Sequence, residues 1–256
     1  MPPGVRAVFT SRDGGVSKAP FDGFNLGDHV RDEPLDVAAN RAQLSAAIGA
    51  KPVFLKQVHG TEVVLLKPET PDGAEADACV SDQPGLACTI MVADCLPVLF
   101  AHASGRVVAA AHAGWRGLAS GVLERCFERY VQAVQGLEPH VSYFDVAAHT
   151  WSWLGPCIGP RVFEVGPEVK QAFVSKDPAA ERCFEAGPGA GDKSLAHLSA
   201  LARLRLQGMG LKDLQGNDGS PPWCTVTQSS SFFSHRRDAA VLGSTGRMAA
   251  SIWIVA

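Results

Sequence analysis

No stretch of this 256-residue chain approaches the roughly 20 consecutive apolar residues that a helix needs to cross a bilayer. A membrane role is therefore not expected. The opening Met-Pro-Pro-Gly-Val-Arg has none of the apolar core of a secretory leader, so the expected location is cytoplasmic. An excess of charge is also missing: 23 basic against 26 acidic residues leave a net charge of -3. That balance offers no broad electrostatic footprint for nucleic acid; the one local basic cluster is His235-Arg236-Arg237. Seven cysteines, an odd number and widely scattered, include no CxxC pair. A disulfide framework is thereby disfavoured, and most of these thiols are expected as small core residues. Internal repeats and low-complexity tracts are absent, which disfavours a solenoid or a linker array.

What remains is the composition of an ordinary enzyme-sized domain. The chain is 46% hydrophobic, enough to bury a substantial core, and nothing in it forces a second domain. Residues 1–256 are read as one α/β unit in which strands and helices alternate. Strand patterns open the chain at 5–10 and close it at 249–255, with others at 54–66, 76–81 and 140–154. Helical spacing is clear over 36–49 (Asp36 as N-cap, Gly49 as stop), over 118–135 and over 195–207, and a helix starts near 168. Residues 155–166 are Gly/Pro-dense, 175–193 read as a surface loop, and 217–222 as a mobile polar turn.

The segment from Ala87 to Gly117, ACTIMVADCLPVLFAHASGRVVAAAHAGWRG, organises the rest. Two apolar runs, 89–93 and 107–111, are short, β-branched and bounded by Pro and Gly, as suits neighbouring strands buried on both faces. One run ends on Asp94-Cys95 and the other on His112. A third polar residue, His59, interrupts a β-rich stretch beside Gly60, a pattern that suggests a bulge or hairpin aiming the imidazole. Two imidazoles and a thiolate suit Zn²⁺ with a fourth position open, the layout of a catalytic site. Copper is also possible, because such ligands bind it tightly and availability decides. A metal-free alternative makes Cys95 a nucleophile activated by His112. Asp94 is either an outer partner of a ligating histidine or a turn residue.

KQVHG (56–60), ADCLPVLFA (93–101), AHAGWRG (111–117), GPCIGP and FEVG (155–166) and FFSHRRD (232–238) resemble the YfiH family. FTSRDGGVS, FNLGDHV and Asn40-Arg41 in the N-terminal part fit the same pattern, so the resemblance runs from about Phe9 to Ile252. The family has been labelled a multicopper polyphenol oxidase or laccase-domain family, and is also described as purine nucleoside phosphorylases with adenosine deaminase activity. The resemblance implies a single layered α/β sandwich similar to the catalytic domains of cytotoxic necrotizing factors. It also implies zinc on His59, Cys95 and His112, which would serve as the catalytic residues as well. The expected partners are a purine nucleoside and phosphate; the oligomeric state, monomer or weak dimer, stays open.

Substrate contacts expected on this basis are Asn25, Asn40, Arg41, Gln57, Arg116, Phe163, His235 and Arg236, with Arg237 a further candidate for an oxyanion. For Asn25 and Gln57 the alternative is a loop hydrogen bond, for Arg116 an ion pair, and for Trp115 plain packing. The backbone of 114–117 could add N–H donors at the start of the following helix. Three ligands with an open position serve Lewis-acid chemistry better than four-electron oxygen reduction. Rival readings are a Cys–His amidohydrolase acting on cell-wall precursors, a copper-dependent polyphenol oxidase, and a non-enzymatic metal- or purine-binding regulator. One departure from the family pattern is Ala196-His197-Leu198 where relatives read LDL; a capping role of that Asp is lost or passes to Asp192.

Overall fold

A computed structural model of the chain describes residues 1–188 and 191–256. After β1 (Val5–Phe9) and a turn-rich segment comes α1 (Pro34–Ile48), ended by Gly49 at φ 64°. Glu33, not Asp36, occupies its N-cap; Pro34 opens the helix and Asp36 lies inside the first turn, where the helix dipole favours it. The expected stretch 54–66 divides into β2 (Lys51–Phe54) and β3 (Val63–Leu65), with the His59 loop between. There follow β4 (Ala78–Ser81), β5 (Leu86–Val92), β6 (Leu96–His102) and β7 (Val108–Ala113). The single helix expected over 118–135 is two, α2 (Trp115–Ser120) and α3 (Val122–Leu137), broken at Gly121, whose φ of 102° no helix contains.

Residues 140–149, expected as the approach to a strand, form α4 (Tyr143–Ala148), started by a Ser142/Asp145 capping box. Then come β8 (Thr150–Leu154), β9 (Glu164–Val165) and α5 (Pro167–Val174). The expected surface loop contains a 3₁₀ turn (Pro178–Cys183) and β10 (Phe184–Ala186), and Cys183 and Phe184 are buried. Positions 189 and 190 of that loop lie outside the described residues. The helix expected from 195 begins later, because β11 (Ser194–Ala196) pairs with β9 and β10 before α6 (Leu198–Gly208) starts. After β12 (Asp213–Gly216), the turn expected to be mobile is anchored instead: Asn217 is buried and donates to the Gly155 carbonyl at 2.9 Å. The last elements are α7 (His235–Leu242) and β13 (Met248–Ile254).

The strands make two main sheets, ordered β1-β13-β5-β2 and β12-β8-β6-β7-β4-β3, with a small sheet β10-β11-β9. Alternation along β5 and β7 explains how they stack. Cys88, Ile90 and Val92 of β5 share one apolar cluster with Val108 and Ala110 of β7, so that face of each sheet meets the other. Ala109 and Ala111 point the opposite way, into a cluster with Leu123, Phe127 and Tyr130 of α3. On the outer face of the first sheet, Met91 and Ala249 pack with Leu44 of α1. The result is a four-layer α/β/β/α sandwich. The two apolar runs are thus buried on both faces as expected, but they are not paired neighbours: β5 bonds to β13 and β2, β7 to β6 and β4. Asp94-Cys95 is where the chain leaves one sheet for the other, with Asp94 at φ 88° making the turn.

Candidate metal centre and cavity

Asp77, which the sequence analysis passed over, builds the site. It directly precedes β4, is fully buried, and accepts four hydrogen bonds. Three come from consecutive backbone N–H groups, Val58 (3.1 Å), His59 (2.9 Å) and Gly60 (2.7 Å). They wrap the loop after β2 around the carboxylate and hold His59 at φ 61°, a left-handed conformation few non-glycine residues adopt. The fourth comes from His112 Nδ1 at 2.8 Å. Asp77 can only accept, so Nδ1 carries the proton and Nε2 is left for the cluster. Burial by itself raises the Asp77 pKa, yet the His112 bond and charge and the backbone donors outweigh it, and the net shift is downward. In place of the expected bulge or hairpin, His59 lies in a loop that joins strands of two different sheets, with a buried carboxylate as its pivot.

Cys95 arrives from the opposite side, at the sheet-to-sheet turn. Its Sγ lies 3.6 Å from His59 Nε2, and the donor atoms of His59, Cys95 and His112 all fall within 4.8 Å of one another. The two imidazole rings meet edge to face, 4.8 Å between centroids. Burial opposes a charged Cys95, but the adjacent His112 and the hydrogen bonds from both imidazoles prevail and draw the thiol down to about 6. For His112 burial again opposes charge, and Cys95 together with Asp77 reverses it, raising the imidazole to about 9. Gly114 completes the enclosure: a Cβ there would sit 2.8 Å from His59 Cδ2 and 2.9 Å from Cys95 Sγ. A thiolate and two imidazoles converging in a space that a methyl group would fill is a donor set and a cradle suited to a borderline divalent ion such as Zn²⁺. Among the described residues this is the one such group of three donors.

The cluster floors a cavity of about 420 Å³. Of the expected substrate contacts, Gln57, Arg116, Phe163, His235 and Arg236 line it. Gln57, however, spends its amide on Met91, donating to the carbonyl and accepting from the N–H at 2.8 Å each, so it clamps the His59 loop to β5. Arg116 lies over the Trp115 ring at 4.6 Å and pairs with no carboxylate among the described residues. Arg236 lies over Phe163 and donates twice to the Glu164 carbonyl.

Three of the expected contacts do not line this cavity. Asn25 and Asn40 are fully buried outside the cavity, each amide saturated by loop partners such as Asp32 and Arg247 for Asn25 and Ser17 and Val16 for Asn40. Arg41 occupies a neighbouring cavity, paired with Asp28 at 3.3 Å and stacked on Phe54. For Asn25 and Asn40 the arrangement is physically reasonable: an amide whose oxygen and nitrogen are both bonded to the loop that holds it has nothing left for a ligand. Arg237 is likewise consumed, by Asp238 and the carbonyls of Thr225, Val226 and Phe232. Asp94 proves to be the turn residue, its carboxylate accepting from Thr225 Oγ1 and the Arg236 N–H at 2.6 Å, which fixes the start of α7. His197 sits at the N-cap of α6 without capping it, with Nε2 buried and unpartnered; exposed Asp192 does not take over that role.

Cavity-lining residues that no motif or spacing singles out include His29, Met91, Ile158, Leu198 and Arg247. Each belongs to a different element or loop, and only the stacking of the sheets brings them to one place.

Residues 6–255 match a family model described as multi-copper polyphenol oxidoreductase laccase. A purine nucleoside phosphorylase of Escherichia coli, YfiH, is 45% identical over 257 residues, covering 100% of this chain and 96% of that protein. A purine nucleoside phosphorylase of Pseudomonas aeruginosa is 45% identical over 255 residues, covering 99% and 95%. Among solved structures, a Neisseria meningitidis protein superposes with a TM-score of 0.87 at 41% identity, covering 100% of this chain and 96% of that one. The YfiH protein of Bacillus licheniformis gives 0.85 at 27% identity, covering 98% and 92%. With the three-donor centre, the layered fold and these full-length matches, the chain belongs to the YfiH family, the one described as multi-copper polyphenol oxidoreductase laccase.

Proposed function

We propose that the chain is a zinc-dependent purine nucleoside phosphorylase acting on adenosine, inosine, guanosine or methylthioadenosine, and that it also deaminates adenosine to inosine. The observation that carries this reading is a single cavity combining a three-donor cluster, an apolar wall and arginines without a carboxylate partner among the described residues. Met91, Ile158, Phe163 and Leu198 offer the apolar contact a purine ring needs, within the usual size range of small-ligand sites. The names of the relatives in Escherichia coli and Pseudomonas aeruginosa support the phosphorolytic half.

In phosphorolysis an oxygen of HPO₄²⁻ forms a bond to C1′ while the C1′–N9 electron pair leaves with the purine. The purine takes up one proton and the phosphate gives one up, so base and ribose 1-phosphate result. The chain's part is to hold the dianion with guanidinium groups, seat the base on the apolar wall, and limit water. His59, Cys95 and His112 would hold the metal, which when bound supplies Lewis acidity to an oxygen at the cavity floor. Deamination replaces the C6 amine by water with loss of ammonia and needs the same floor. Among the described residues only two of the eight histidines join a three-donor group, which supports Lewis-acid chemistry over a multi-copper reaction.

A second reading keeps Cys95 as the nucleophile of an amidohydrolase, favoured by the thiol drawn down to about 6 beside His112. The deciding experiment incubates metal-quantified protein with each nucleoside and phosphate and separates the products by chromatography. Free base and ribose 1-phosphate in equal amounts are expected. If zinc-replete protein leaves all four nucleosides intact, while an alkylating reagent rapidly labels Cys95, the phosphorylase reading gives way to the second.

A further inference from the structure

Arg247 is less exposed than Arg116 and Arg236, the other arginines lining the cavity. It lines the wall, half-buried, just before β13, and forms no ion pair among the described residues. Its Nη1 donates to the neutral carbonyls of Thr245 (2.9 Å) and Gly246 (3.1 Å), which orients the guanidinium without neutralising it. Nε and Nη2, the edge suited to a bidentate oxyanion, have no acceptor among the described residues. The one acidic side chain lining the cavity, Asp94, is committed to Thr225 and the Arg236 N–H. Arg236 and Arg116 are the weaker candidates, one bonded to the Glu164 carbonyl, the other exposed on Trp115.

The Asn25-Leu26-Gly27 loop is built to hold this arginine. Asn25 Oδ1 accepts from the Arg247 N–H at 2.8 Å, and the Leu26 N–H donates to the Arg247 carbonyl at 3.1 Å. Gly27 lets the side chain pass: a Cβ there would lie 2.7 Å from Arg247 Cγ. Asn25 and Gly27 do not line the cavity themselves and act on it through Arg247.

We propose that Arg247 is the seat of inorganic phosphate, with Asn25 and Gly27 as positioning residues that fix its guanidinium. The assignment rests on the phosphorylase reading for its role in catalysis, and on the cavity alone for oxyanion binding.

The test uses the metal-loaded full chain, R247Q, R247K and G27A, the last displacing the side chain while keeping its charge. Circular dichroism confirms folding, and initial rates are measured over a phosphate series and a nucleoside series. R247Q should raise the KM for phosphate at least tenfold and that for nucleoside less than threefold. G27A should shift phosphate KM in the same direction, and R247K should recover part of the loss. A phosphate KM in R247Q within twofold of the parent overturns the proposal, as does an equal rise in both KM values. Should the parent show no phosphorolysis, the functional reading has failed separately, and calorimetric titration with inorganic phosphate and with AMP decides. Phosphate binding by the parent and its loss in R247Q sustains the site. Absence of phosphate binding by the parent, or Arg247-dependence for AMP alone, overturns it.

Discussion

Replacing Asp77 by asparagine is the most informative single change, because it alters one atom of a fully buried carboxylate and leaves its volume alone. In the parent, Oδ1 accepts from His59 N and His112 Nδ1, and Oδ2 from Val58 N and Gly60 N. An amide has only one acceptor oxygen. While His112 keeps its proton on Nδ1, the NH₂ group faces two N–H donors whichever way the amide is turned, so two bonds to a charged acceptor are lost. At about 1.5–3 kcal/mol for each such bond, the loss is about 3–6 kcal/mol before relaxation. A fall of about 3 kcal/mol is expected after the loop shifts, a large part of a domain's marginal stability. Removing the outer partner of a ligating histidine should also weaken metal binding by about 10–100-fold. Urea unfolding followed by tryptophan fluorescence gives the first quantity, and zinc titration against a chelator of known affinity the second. A D77N protein within about 0.5 kcal/mol of the parent, with unchanged zinc affinity, would refute the role given to Asp77.

Gly114→Ala should leave the fold nearly intact, since Gly114 has φ -63° and ψ 155°, open to any residue, yet it should crowd His59 and Cys95. Zinc content by atomic spectroscopy should fall well below one per chain while the melting temperature stays within a few degrees; full occupancy would contradict the cradle. Arg237→Lys cannot reproduce the fork to Asp238 or the bonds to three carbonyls. It should cost about 2 kcal/mol in urea but leave kcat/KM per folded molecule unchanged, whereas a selective rise in KM would make Arg237 a ligand contact. On the acid side, Asp238 is held below its ordinary pKa: burial pushes upward, but Arg237, the Ser234 N–H and Thr245 outweigh it. Its folded pKa lies below the unfolded one, so its contribution is complete above about pH 4 and is lost as pH falls through the folded value. D238N should flatten that acid limb, measured as unfolding free energy from pH 5 to 2.5; an unchanged slope would discount Asp238.

Long periodic segments were legible along the chain, and short polar ones were not. α3 announces itself because Val122, Phe127, Val131 and Val134 bury one face. By contrast α7 buries none of its side chains and rests on Ser234 and Asp94 at its start, so no apolar period marks it. α4 is a single six-residue turn and a half, too short for a period, and only its capping box could have given it away. His59, Cys95 and His112 were legible as candidates because each interrupts a β-rich run with Gly or Pro beside it. Asp77 and Arg247 were not, since an acid before a strand and an arginine after a turn are commonplace.

The order of residues was thus sufficient to determine an α/β domain with a hydrophobic core, free thiols, and three soft or borderline donors at strand boundaries. These are local properties: burial period, turn chemistry and donor type are written into neighbouring residues. Tertiary structure alone decided that β5 and β7 face each other across two sheets rather than pair. It also turned Asn25, Asn40 and Arg41 from ligand contacts into loop supports, and brought Asp77 under both histidines. Those outcomes depend on which groups compete for the same buried acceptors once 35 positions of chain separate Asp77 from His112. That competition is settled in space, by hydrogen-bond satisfaction and packing.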